Sequence, residues 1–269
     1  MVCPGLPSRP RPPGKAPLTG AARQGPRDRR HALRAAATGL PGGLGLGVNA
    51  AVLCAWPQAL HTDHGDCPFL VAFVFSHPVR LVVTSACVYS SETQVWVEIT
   101  SIHVPYELVS KKPTALVGNS LYWLQHDSGI IQLDLDKRSL VFFGDVPEYD
   151  LYTYNMQILI MPAEDRHLGF AGVDGFSLHL WSAVFSFEGV VTWARRTVIN
   201  LKKLLAPEAV AMCMSRVEPV GYAEDAGVIF IYVDPGLYMI HLKSMHVQEV
   251  SEKGAYSFVF PYTSFYRSR

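Results

Sequence analysis

From Val48 to Val250 the chain alternates between short runs of Val, Ile, Leu, Phe, Tyr and Trp and punctuation by Gly, Pro, Asp, Asn and Ser. Short apolar runs bounded by turn residues are the mark of strands rather than of helices. The pattern predicts a succession of strands beginning near Ala50 and ending near Val250, with none expected between Ile199 and Val228. Asn200 is the one convincing helix start, an N-cap before Leu201, Leu204 and Leu205 at helical spacing. Pro207 limits that helix to a turn or two. The expected fold class is all-β.

One strand pair recurs. Leu121–Leu135 reads as an apolar strand, a polar turn closing on Gly129, and an alternating strand. Ile229–Leu242 repeats the unit around Gly236, and Leu168–Trp181 is a third copy around Gly175. Glycine at such turns serves a positive φ, which it adopts without a Cβ clash. Beyond Gly236, Leu237, Met239 and His241 share one face, and Tyr238, Ile240 and Leu242 share the other. Both faces are largely apolar, as expected of a sheet stacked against neighbours on both sides. Repeated antiparallel hairpins tens of residues apart predict a β-propeller. About 220 residues at roughly 45 per blade give about five blades, fewer than the six or seven of a complete ring. The aromatic cluster of Tyr256, Phe258, Phe260, Tyr262, Phe265 and Tyr266 is expected to be a closing strand paired with the first blade.

Composition separates residues 1–45 from the rest. They are dominated by Pro, Gly, Ala and Arg and carry eight basic residues against the single Asp28. The segment is read as disordered, because it cannot bury enough apolar surface to offset its ordering entropy. An Arg-rich transit peptide and a signal anchor over Ala35–Leu60 are the competing readings, set against few serines and many glycines. The formal net charge of the chain is zero, so the +7 of this segment leaves −7 on residues 46–269, read as the propeller domain. An acidic body without a dense cationic stripe argues against nucleic acid as its partner, and no membrane partner is expected. Gly42–Gly47 precedes a strand instead of following one, which excludes a phosphate loop.

Candidate chemistry is sparse. The five cysteines are scattered, none forms a C-x-x-C pair, and no N-x-[ST] acceptor occurs, so a reducing cytoplasmic or nuclear setting is expected. His61, Asp63, His64, Asp66 and Cys67 gather potential metal ligands in one loop, the alternative to a non-catalytic reading. With no second ligand set elsewhere, that loop reads better as a polar connection, and no cofactor or metal is assigned. No nucleophile elbow, zinc-protease motif or phosphate-loop lysine is present, so no catalytic residue is assigned. His179 and His241 lie at similar places in two repeat copies, and Glu164, Asp165, Glu224 and Asp225 fall at expected turns. Trp96, Trp123, Trp181 and Trp193 are expected in the core.

Several stretches together resemble the β-propeller domain that follows the F-box in plant F-box proteins, those of grasses in particular. They are Asn49–Ala55, Ala86–Thr93, Lys112–Leu124, Ile131–Leu135, Gln157–Asp165, Phe176–Trp181, Val228–Ile231 and Pro261–Tyr266. The resemblance implies that the propeller captures a protein target while F-box helices dock the adaptor of a cullin-based (SCF-type) ubiquitin ligase. No F-box-like helical bundle is expected within this sequence, so an adaptor would join only if an F-box were supplied elsewhere. A degenerate fragment without independent function is the remaining alternative.

Overall fold

The computed structural model describes residues 47–54, 68–77, 83–104, 109–125, 129–146, 158–186, 191–213, 216–250 and 254–261. Every element described lies within residues 40–269. Four antiparallel sheets of four strands each form the blades of a β-propeller. Blade 1 comprises β1 (Val48–Cys54), β2 (Phe69–Ser76), β3 (Val83–Ser90) and β4 (Val95–His103). Blade 2 comprises β5 (Ala115–Val117), β6 (Ser120–Leu124), β7 (Gly129–Asp134) and β8 (Ser139–Asp145). Blade 3 comprises β9 (Ile158–Pro162), β10 (Leu168–Asp174), β11 (Ser177–Phe185) and β12 (Val191–Asn200). Blade 4 comprises β13 (Val217–Ala223), β14 (Val228–Val233), β15 (Gly236–His241) and β16 (Val247–Glu249). Within each sheet the spatial order is the chain order.

The strands follow the apolar runs because near-continuous runs give each sheet two apolar faces, and the structure uses both. Between blades 1 and 2, Ala72, Val74 and Ala86 meet Leu121, Trp123 and Ile131. Tyr122, Leu124 and Ile130 of blade 2 pack on Ile160, Phe170 and Ala183 of blade 3. Ala171, Val173 and Leu178 of blade 3 pack on Ile229, Ile231 and Ile240 of blade 4. Trp123 is completely buried, whereas Trp96, Trp181 and Trp193 are half-buried at the blade margins.

The three sequence repeats are the hairpins between second and third strands of blades 2, 3 and 4. Gly175 has the positive φ (+54°) that the turn requires. Gly236 does not: the turn passes through a cis Asp234–Pro235 peptide, and a Cβ at 236 would lie 2.9 Å from the Tyr238 ring. Glycine there leaves room for the Tyr238 ring and does not supply a positive φ. Asn200 does cap a helical turn, its Oδ1 accepting from Lys202 N at 3.0 Å, but only a 3₁₀ turn over Leu201–Lys203 follows. Pro207 then begins a second helix, α1 (Pro207–Met212), instead of merely ending the first.

Three expectations are corrected. The described residues form four blades rather than about five, because connections such as 201–216 take up length between sheets. β13 lies where no strand is expected. Glu218, Pro219 and Gly221 interrupt its alternation, and a bulge between Pro219 and Gly221 accommodates them. Residues 254–261 form no strand. Val259 N donates to Val220 O at 2.7 Å, and Tyr256 and Val259 cover Val220, Tyr232 and Leu237 on the face of blade 4 turned away from blade 3. That part of the aromatic segment thus covers the last blade and does not pair with the first. Tyr262, Phe265 and Tyr266 lie outside the described residues.

Candidate interaction site

The first strands of successive blades are neighbours: β5 lies against β9, and β9 against β13. The residues at or just before their leading ends converge. In blade 1, Asn49 Nδ2 donates to Ser110 O at 2.8 Å and to Lys112 O at 2.7 Å. Lys112, on the connection into β5, donates through Nζ to Ile158 O at the head of β9, 2.7 Å away. Lys112 also feels the Glu218 carboxylate of β13, which pairs with the guanidinium of Arg216. Arg216 in turn lies over the Tyr232 ring, 5.5 Å from its centroid, and the Tyr232 hydroxyl donates to Asp234 Oδ1 at 2.9 Å. One polar chain therefore ties all four blades together at one end of their inner strands.

Burial sets the electrostatics of this cluster. It pushes the Lys112 ammonium down to about 8, with Glu218 opposing the shift and Arg216 adding to it. Burial likewise raises the Glu218 carboxyl, against the pull of Arg216 and Lys112. Pairing offsets part of the desolvation of both charges, which suits a junction that holds blades in register.

The loop of His61, Asp63, His64, Asp66 and Cys67 lies outside the described residues. Among the described residues no group of three or more His, Cys, Asp or Glu side chains is placed to hold a metal, and no helix is long and apolar enough to cross a membrane. His179 and His241 both sit on third strands, but at different rungs: His179 is opposite Gly172, and His241 is opposite Val228. Glu164 and Asp165 occupy the turn between β9 and β10, and Glu224 and Asp225 the turn between β13 and β14. Asp165 is more than a solvated turn residue. It accepts from Ser182 Oγ at 2.6 Å and from His167 N at 3.1 Å, and Arg196 Nη2 lies 3.2 Å away. These partners hold its carboxyl below the usual range although burial raises it.

The fourth strands form the outer edge of each blade. In blades 1, 2 and 3 a bulge interrupts their pairing with the third strand, leaving Ile99, Phe143 and Arg196 as the extra residues. Ile99 and Phe143 turn into the interblade cores, whereas Arg196 turns to Asp165. Sequence reasoning identified neither Lys112, Glu218, Arg216 and Asn49 nor the arginines of β12. An isolated charge beside a strand carries no mark of where the blades converge.

Radially repeated four-stranded sheets joined at their inner ends define a propeller, a scaffold that presents its ends and edges to other molecules. The chain belongs to the family described as "F-box protein AT5G49610-like, beta-propeller", whose profile matches residues 46–266. Membership supports a protein-interaction propeller. Solved structures similar to the chain include the dihydro-heme d1 dehydrogenase NirN in complex with DHE, at 15% identity over 68% of this chain and 34% of that one, with TM-score 0.37. The N-terminal domain of Nup159 is 15% identical over 70% of this chain and 46% of its own, with TM-score 0.35. The WD40 domain of SCAP from fission yeast is 14% identical over 68% and 50%, with TM-score 0.35. The chain thus spans half or less of each of these proteins. No curated protein matches it.

Proposed function

We propose that this propeller is the target-recognition module of an SCF-type ubiquitin ligase, holding a protein substrate while an F-box docks the adaptor. The family match over residues 46–266 is the observation that carries the reading. The same membership favours a non-enzymatic module, whose work is presentation of a rigid surface. A cytoplasmic or nuclear site of action suits Cys87 and Cys213, both free thiols.

The test is proximity labelling with the full chain, alone and fused to an F-box, followed by titration of the recovered protein against purified propeller. A saturable target in both forms, with adaptor recovered and the target depleted in the fused form, is the expected outcome. Absence of any saturable target overturns the recognition reading. A target that binds but is never depleted by the fusion overturns the ligase assignment alone.

A further inference from the structure

Residues 191–206 carry Arg195, Arg196, Lys202 and Lys203 and not one acidic residue, inside a body whose formal charge is −7 once the basic segment 1–45 is set aside. All four cations are exposed. The other outer strands differ: β4 contains Glu98, β8 ends on Asp145 and β16 ends on Glu249. β12 is the edge of its sheet. Its Arg196 is matched by Asp165, but Arg195, Lys202 and Lys203 make no ion pair among the described residues. Two of these three rest on aromatic rings instead. The Arg195 guanidinium lies 5.8 Å from the Trp181 centroid and the Lys202 ammonium 5.3 Å from that of Phe176. Such contacts hold the side-chain stems in place without neutralising the charge, so the cations stand pre-ordered for a partner. Val198 on β12, 51% exposed, and Phe185 at the end of β11, 48% exposed, add apolar surface.

From this strip we infer that the outer edge of blade 3 docks an acidic, extended segment of the protein target, which lies along β12 and the turn that follows it. The inference rests on the recognition reading above and names the surface that performs it. A ten-residue strand is about 33 Å long, room for a peptide of similar length. The bulge at Arg196 breaks the regular backbone edge, so the segment is read through side chains and charge rather than by joining the sheet as a further strand. Charge selects a peptide over a nucleic acid. Three unmatched cations suit a few carboxylates, whereas the acidic remainder of the body repels a long polyanion.

The experiment uses the full chain and three labelled probes: a peptide of alternating Glu and Thr about twelve residues long, its Lys counterpart, and oligothymidylate of similar length. Fluorescence anisotropy is expected to give saturable binding of the Glu peptide alone. Arg195→Glu/Lys202→Glu/Lys203→Glu is expected to weaken it about tenfold, three exposed pairs each worth a fraction of that factor. Arg196 is left intact because it anchors Asp165. Should the triple variant melt early, Lys203→Glu carries the test, since Lys203 makes no ring or ion-pair contact among the described residues. Equal binding of the Glu peptide to wild type and variant overturns the inference. Tighter binding of oligothymidylate, lost in the variant, overturns it in favour of a nucleic-acid surface. A target captured equally by wild type and variant removes the strip from recognition but leaves the recognition reading standing. With no target captured by either, that reading fails, and the peptide titration still decides the strip.

Discussion

Lys112 is the residue on which the four blades converge, and its charge has a measurable price. Burial depresses its pKa from the ordinary lysine value of 10.5 to about 8. The unfolded chain therefore binds the proton more tightly than the fold does between those values, and stability rises as pH increases from 8 toward 10.5. The slope from this group is at most about 1.4 kcal/mol per pH unit. Cys87 works the other way. Burial raises its thiol to about 11 from 9.0, so its contribution falls as pH rises from 9 to 11. The Lys112 effect is thus cleanest between pH 8 and 9, and denaturant titrations of wild type and Lys112→Met across that interval isolate it. Wild type is expected to gain on the variant as pH rises, and parallel curves would refute the buried ammonium. Among the tryptophans, Trp123→Ala should cost about 3–5 kcal/mol, because that side chain alone of the four is fully enclosed. Trp96→Ala, at a half-exposed margin, should cost visibly less in the same assay.

At the scale of elements, two glycines separate shape from space. A Cβ on Gly221 would lie 2.5 Å from Val259 O, a backbone atom that cannot step aside. Gly118 has open space around it but a φ of +59°. Gly118→Ala is expected to cost about 1–2 kcal/mol through its dihedral alone. Gly221→Ala should cost about 1–3 kcal/mol and also lift residues 254–261 from β13, seen as faster limited proteolysis within that segment. Unchanged proteolysis would sever the proposed link between Gly221 and Val259. The strands themselves were readable wherever apolar residues run together between turn residues, as in Ile229–Val233 and Leu237–Ile240. β13 was not, because Pro219 and Gly221 are turn residues everywhere except at a bulge. The axial cluster was illegible for a different reason: Asn49, Lys112 and Glu218 are far apart in the chain, and nothing local marks a lysine as buried. The glycine repeat revealed three blades and missed the first, since the sequence between β2 and β3 contains no glycine.

For the whole molecule, the face of blade 4 turned away from blade 3 is covered by Val250 and by Tyr256 and Val259 of the segment after Gly254. Deleting residues 254–269 uncovers Val220, Tyr232 and Leu237, and the shortened chain is expected to melt earlier and to bind a hydrophobic dye. A deletion variant with an unchanged melting temperature would mean that the cover is dispensable. Each blade is also complete in its own stretch of chain, with no sheet borrowing a strand from the opposite terminus. Two separately expressed polypeptides, divided between β8 and β9, would therefore each carry two whole sheets. Their reassociation needs Tyr122, Leu124 and Ile130 to meet Ile160 and Phe170 again, and Lys112 to regain Ile158 O. Such a chain is a natural two-piece reporter: halves fused to a bait and its prey would regain a joined propeller only when brought together.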